Sequence, residues 1–526
     1  MRLGIDFGTT RTVVACADRG NYPVLTFCDA AGDAHDWFPS VVAERDGELR
    51  FGFDALATAA DPSFTAVRSF KRLLADAQAG PGQIVRVGRL TIPIDELVSR
   101  FLAAMKEAVL TRSNLPEELR GTAEKDMRTV VAVPANASGA QRFVTLDAFR
   151  RAGFQPVAML NEPSAAGFEY THRHRDTLTS RRDHVVVYDL GGGTFDASLV
   201  RMRGRAHEVM ATAGVNQLGG DDFDDVLLDL VLARTTLTRA ALEPRVLERL
   251  LDQCRDAKER LNPSSRKISI DLEAALGTDA PSPMAVVTVP DFYAACMPLV
   301  TRSIEAMVPI MARLDGAVSE DGDTALDEIA GIYVVGGASE LPLVARALRE
   351  RFGRRVHRSP YPSAAIAIGL AIACDDAAGF ELSDRYSRTF GVFREGHAGA
   401  AITFDSIFTS ETALPARTGA PVFRRRDYRA AHNVGHFRFF ECNAIGDDGR
   451  PRGDMMVSGD ILFPFDPTLD PEADAVDLRA ITVERMGARG PRIEEEYSLD
   501  ENGIVAITIK NLDAGFERVY RLGSVA

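Results

Sequence analysis

Hydrophobic positions change their period along this chain, and the change divides it. Up to about Asp375, short apolar runs alternate with stretches of helical spacing. The runs Leu3–Phe7, Thr129–Val133, His184–Leu190 and Gly331–Val335 predict strands. The stretches Ile94–Leu110, Ala140–Ala152, Asp221–Thr235 and Pro342–Phe352 bring apolar residues back at helical spacing and predict helices. Alternation of this kind predicts α/β layers. Beyond residue 376 the segments become short and alternating, as in His436–Phe440 and Ile504–Ile509. The second follows Asp500-Glu501-Asn502-Gly503, whose Asn-Gly pair signals a hairpin. Regularly spaced short strands predict an all-β sandwich of roughly 130 residues. The expected order is an α/β region over 1–375, a polar linker over 376–392 and a sandwich over 393–526 that ends without a helical lid.

Composition narrows the classes. The 526 residues suit three or four compact units at roughly 150 residues each. The runs Val130–Pro134 and Ile366–Ala373 are too short to cross a bilayer, and the N-terminus lacks the apolar core of a secretory signal. A cytoplasmic protein without a membrane partner is expected. The net charge of −14 argues against nucleic acid as a partner. Arg424, Arg425, Arg426 and Arg429 form a local basic patch, read as a solvated loop. The six cysteines, with no Cys-x-x-Cys pair, read as small buried hydrophobes.

An internal echo carries the chemistry. Ile5-Asp6-Phe7-Gly8-Thr9-Thr10 resembles Tyr188-Asp189-Leu190-Gly191-Gly192-Gly193-Thr194. Each is a strand ending in Asp, then a glycine turn and a hydroxyl residue. Two such halves suggest two lobes facing one cleft. Glycine turns free backbone N–H groups to cradle phosphates, and Thr9, Thr10 and Thr194 add hydroxyls. Asp6 and Asp189 suit Mg²⁺, held mostly through its waters. A third turn, Val334-Val335-Gly336-Gly337-Ala338-Ser339, strengthens the pattern.

These segments, with LGGDDFDD at Leu218–Asp225 and VVGGASELP, resemble in that order the nucleotide motifs of the actin-like ATPase superfamily. VPANASGAQR, RAGF and LNEPSAAG narrow the resemblance to heat-shock chaperones of the seventy-kilodalton, DnaK type. It spans nearly all of 1–375 and continues through 393–526, where SIFTSETALP and IEEEYSLDENGIVAITIKN resemble that family's β-sandwich. The resemblance implies a two-lobed actin-like ATPase domain that binds ATP or ADP with Mg²⁺ and hydrolyses ATP slowly, joined to a sandwich that binds polypeptide clients. It places Asp6 and Asp189 around the metal and Thr194 and Asp196 near the γ-phosphate and attacking water. Glu162 becomes the carboxylate beside the metal, and Lys71 the lysine that positions the water. Only six lysines stand among 61 basic residues, and Lys is not equivalent to Arg at a catalytic site. Gly8, Gly191, Gly192, Gly193, Gly219, Gly220, Gly336, Gly337 and Ala338 fall in the nucleotide turns, and Pro134, Arg142 and Glu162 match the family's relay of nucleotide state.

The sequence also departs from the family. In the purine-binding helix Lys258 is retained, but Arg255 stands for a carboxylate and Glu259 for a stacking arginine. Glu340 replaces the second stacking arginine, and Ser363 an aspartate. Either the register is off by a residue or two, so that Arg260 serves, or the pocket is rebuilt with Arg255 paired to Glu259 or Glu340. The linker Glu381–Ser387 is polar where the family has leucines and valines, which weakens the case for linker docking and domain coupling. Ala158 replaces an arginine that meets J-domain partners, which weakens the case for such a partner. A nucleotide-exchange factor remains an admissible partner. Without a lid, clients are expected to exchange quickly. An adaptor sensing nucleotide for one folded partner is the alternative. The Asn-Glu-Pro segment and the β domain argue against a sugar kinase, and the fused β domain against an actin-like filament.

Overall fold

The computed structural model describes residues 1–522 except 59–60, 62, 76–81, 124–125, 278–279, 313, 315–327, 397–398 and 470–476. Two large sheets, one of five strands and one of six, organise the first 375 residues. In lobe I the strand Arg2–Phe7 pairs antiparallel with Arg11–Cys16 and parallel with Arg128–Val133, which in turn pairs with Gln155–Asn161. Lobe II repeats the plan. His184–Leu190 pairs antiparallel with Phe195–Arg203 and parallel with Ile329–Val335. The echo in the sequence is thus an echo in topology, and both Asp-Gly turns leave equivalent strands. These central strands are buried along almost their whole length, as continuous apolar runs demand.

Each lobe has its own core. Phe7, Phe70 and Phe101 lie in one; Leu227, Phe292 and Val300 lie in the other. Val289–Met311 is long and apolar enough by length and composition to cross a membrane, beyond the shorter runs noted in the sequence. Its Phe292, Cys296, Val300 and Met307 are fully buried in the core of lobe II. The helices Glu162–His174 and Ala365–Cys374 pack against each other and against the strands of both lobes.

The C-terminal region is a sandwich of two four-stranded antiparallel sheets. Phe390, Phe439, Phe463, Tyr497 and Ile507 fill the space between them. Its first strand is Thr389–Gly396, four residues before the expected boundary, and the Asn502-Gly503 turn joins Arg492–Leu499 to Val505–Asn511.

Two expectations are corrected. The polar linker is docked: Glu381–Ser383 adds a parallel strand beside Ala206–Val215. Its polarity suits the place, because Asp384 is buried against Asn161 and Ser164 while Arg385 donates to the Val209 carbonyl. The arginine patch lies on strand Val422–Arg429 rather than in a loop. Arg425 pairs with Glu496, Arg426 with Asp405 and Arg429 with Asp513. Five of the cysteines are buried, and Cys28 is exposed.

Candidate functional site

The turns after the paired strands meet in one cleft between the lobes, a cavity of about 250 Å³. Asp6, Gly8, Thr9, Thr10, Lys71 and Glu162 line it from lobe I. Asp189, Gly191, Gly192, Thr194, Gly220, Gly336, Gly337 and Ala338 line it from lobe II. Gly193, Gly219 and Asp196 do not line it and are packed behind its wall. A side chain at Gly219 would strike the Gly192–Gly193 backbone, and Asp196 accepts the Ala135 N–H at 2.9 Å. Gly336 has φ +85°, and a Cβ there would lie 2.3 Å from the Leu190 carbonyl and 2.4 Å from Asp189 Oδ1. Only glycine lets the second and third turns touch.

Carboxylates crowd one end of the cleft around Lys71. Lys71 Nζ donates to Glu162 Oε1 at 3.0 Å and stands 5.4 Å from the Phe7 ring. Burial opposes the Lys71 charge, but Glu162, Asp6 and Asp196 outweigh it and hold the ammonium above its ordinary range. Burial, then Glu162, raises Asp6 to about 7 and Asp196 to about 7. Burial, then Glu162, Asp196 and Asp6, raises Asp189 well above the carboxylate range. Asp189 Oδ1 is buried without a hydrogen-bond partner. Carboxylates crowded to this degree, one with an orphaned oxygen, fit a divalent cation. Among the described residues no group of three His, Cys, Asp or Glu side chains is placed to hold a metal ion by itself.

Stability should reflect this crowding. Asp6 and Asp196 keep their protons in the folded state up to about pH 7, whereas ordinary aspartates lose them near 3.8. The folded state therefore binds more protons between these values, so the metal-free protein loses stability as pH rises through that window. Thermal melts at pH 5.5 and 8 should show the drop, and Asp196→Asn should reduce it. An equal slope in that variant would contradict the electrostatic account.

The purine side departs from expectation. Lys258 lines the cleft and Arg260 does not. Arg255 pairs neither with Glu259 nor with Glu340. It lies 3.3 Å from each of Asp221, Asp224 and Asp252. Glu259 pairs instead with Arg11 at 2.5 Å, and Glu340 with Arg358 at 3.5 Å. Ser363 also lines the cavity, as do Leu261, Leu341, Pro362 and Ile366, which sequence reasoning did not single out. Arg11 was missed as well, although it directly follows the Thr9-Thr10 turn.

Two polar paths leave the cleft for the sandwich. Glu162 follows Asn161, whose Oδ1 accepts from Arg142 Nη2 at 2.5 Å and whose Nδ2 donates to Asp384. Arg142 Nη1 also donates to the Asn502 carbonyl of the sandwich at 3.2 Å. The second path runs through Pro134-Ala135-Asn136. Ala135 meets Asp196, and Asn136 Oδ1 accepts from Arg388 Nη1 at 2.9 Å. Arg388 is fully buried beside Glu441, whose oxygens accept the Gly139 N–H at the start of helix Gly139–Arg151. A Cβ on Gly139 would lie 2.8 Å from that carboxylate, so glycine leaves room for it. A larger cavity, about 1090 Å³, opens within the sandwich. Phe437, Leu462 and Phe465 line one part, and the ion-paired Arg394, Asp405 and Arg426 another.

Sequence comparisons agree with this architecture. The family model described as "Hsp70 protein" matches residues 2–392. A protein named "Chaperone protein HscA homolog" from Pseudomonas fluorescens is 29% identical over 98% of this chain and 77% of its own length. Its counterpart in a second strain is 31% identical over the same shares. The protein of that name from Burkholderia pseudomallei is 34% identical over 72% of this chain and 59% of its own length.

Proposed function

The chain belongs to the Hsp70 family of ATP-binding chaperones, and on that premise we propose that slow ATP hydrolysis in the cleft governs how the sandwich holds polypeptide clients. The observation that carries this reading is the path from the Lys71–Glu162 pair, through the adjoining residue Asn161, to Arg142, Asp384 and the sandwich. A change of partner at Glu162 alters the group next to Asn161, and Asn161 touches both linker and relay arginine. Pro134, Arg142 and Glu162 then act as the relay.

In the cleft, Asp6 and Asp189 would hold Mg²⁺, which neutralises phosphate charge when bound. Lys71, oriented by Glu162, would set its ammonium against the transferred phosphoryl group and the attacking water. Thr194 faces the same space, and Asp196 braces the wall through Ala135. The work of these groups is positioning and charge neutralisation. The sandwich cavity is the proposed client site.

A second reading is an adaptor for one folded partner. The charges around the sandwich cavity favour it, because Arg394, bound to Asp405 and Glu495, makes part of the cavity wall charged rather than apolar. Suppression of aggregation of an unfolded protein, measured with and without ATP, separates the two. ATP-dependent suppression supports the chaperone; none, with tight binding to a single folded protein, supports the adaptor.

The purine side gives a further expected result. Glu259 and Glu340 offer no planar cation for stacking, and Arg255 is held by three aspartates. ATP and GTP should therefore bind within about tenfold of each other, with phosphates and metal supplying most of the affinity. Calorimetric titration with both nucleotides checks this; tight binding confined to ATP would refute the rebuilt pocket.

A further inference from the structure

We propose that Arg11 is a nucleotide-contacting residue of this cleft, held ready by Glu259 and Trp37 and released to the phosphate and ribose end of the ligand on binding. The inference rests on the reading of the cleft as an ATP site. Carboxylates outnumber cations among the residues lining the cleft, yet a nucleoside triphosphate is itself strongly anionic. The cations there are Lys71, Arg255, Lys258 and Arg11. Three of them are committed. Lys71 is buried on Glu162. Lys258 is buried between Asp224, at 2.5 Å, and the Gly220 carbonyl, at 2.6 Å. Arg255 is shared among three aspartates.

Arg11 differs in two respects. Its carboxylate contact is with Glu259 at 2.5 Å, and both side chains are partly exposed, at 33% and 40%. Such a pair exchanges partners at little cost, because solvent screens it. Its guanidinium also lies 4.8 Å from the centre of the Trp37 ring, which fixes the plane of the cation from behind. Arg11 begins the strand Arg11–Cys16 directly after the Thr9-Thr10 turn, so its backbone is fixed beside the place where phosphates are cradled. Glu259 ends a helix on the opposite lobe. The pair therefore bridges the two walls of the cleft. A phosphate oxygen competes with Glu259 for the same guanidinium, and Glu259 is free to turn toward water.

Competition predicts opposite signs for the two partners, whereas a mere strut predicts the same sign. Arg11→Met should weaken ATP and ADP binding by about tenfold, the scale of one hydrogen bond to a charged group. Glu259→Gln should tighten binding by about two- to threefold, because it removes a competing and repelling carboxylate. Trp37 is the only tryptophan. Its emission should change on adding Mg²⁺-ATP to the wild-type protein and should not change in Arg11→Met. Titration of the full chain with ATP and with ADP, followed by calorimetry and by Trp37 emission, tests this. Unchanged affinity in Arg11→Met, or equal weakening in both variants, overturns the proposal while leaving ATP binding intact. Failure of the wild-type protein to bind either nucleotide would instead overturn the reading of the cleft.

Discussion

Lys71→Ala should lose about 10² or more of the single-turnover rate of ATP hydrolysis while still binding nucleotide. The reason lies in what surrounds the ammonium. Lys71 is buried, bonded to Glu162 and close to Asp6 and Asp196, with the Phe7 ring on another side. Of the other cations that line the cleft, Arg255 and Lys258 are tied to the aspartates of lobe II, and Arg11 stands on Glu259 rather than among the carboxylates around Lys71. Binding should survive, because the glycine turns and threonines that cradle phosphates are untouched. Lys71→Arg should rescue little, because a bulkier planar fork does not present the same compact point charge in this buried place. Single-turnover hydrolysis with calorimetric binding in parallel decides the matter. Hydrolysis at the wild-type rate in Lys71→Ala would remove the lysine from the mechanism.

Arg388→Met should release the sandwich from lobe I. Arg388 is fully buried between Asn136, the Asp454 carbonyl and Glu441. Glu441 is nearly as buried, and it also accepts from Tyr386 and from the Gly139 N–H. Breaking a buried pair by removing one partner costs about 3–5 kcal/mol, because the other charge remains out of water. Here the protein has an escape: the sandwich can swing away and hydrate Glu441. The penalty therefore falls on docking rather than on either fold, and a shift of about 10² or more in the docking equilibrium follows. Strand Glu381–Ser383 should then lose amide-exchange protection, and the linker should be cut faster by trypsin. Unchanged protection there would show that docking does not depend on this pair. Glu441→Gln is a milder control, since an amide still accepts the Tyr386 hydrogen bond.

Much of this protein was legible in its sequence. His184–Leu190 and Pro342–Phe352 form the elements that their apolar patterns predicted, and most other elements differ by a few residues at their ends. Buried strands and amphipathic helices write their period locally, so a single sequence displays them. The phosphate turns were legible for a similar reason. An Asp at a strand end, then a glycine turn and a hydroxyl residue, is a local conformation as well as a motif, and its repetition suggested the two lobes. The family followed from the order of such motifs.

Pairing across the fold was not legible. Arg255 looked free to reach a purine, but Asp221 and Asp224 from another helix hold it. Glu259 looked like a lost stacking residue; its partner Arg11 lies 248 positions away. The linker looked too polar to dock, because composition alone assigns Asp384 and Arg385 to water. The fold supplies Asn161, Ser164 and the Val209 carbonyl to them, and Asn136 and Glu441 to Arg388. A charged residue is buried or exposed according to the partners it finds, and those partners are brought together only by the closed chain. The sequence by itself therefore determined the lobes, the turns and the sandwich, whose causes are local. The tertiary structure alone decided which charges meet, and with them the purine wall and the seating of the sandwich on the ATPase.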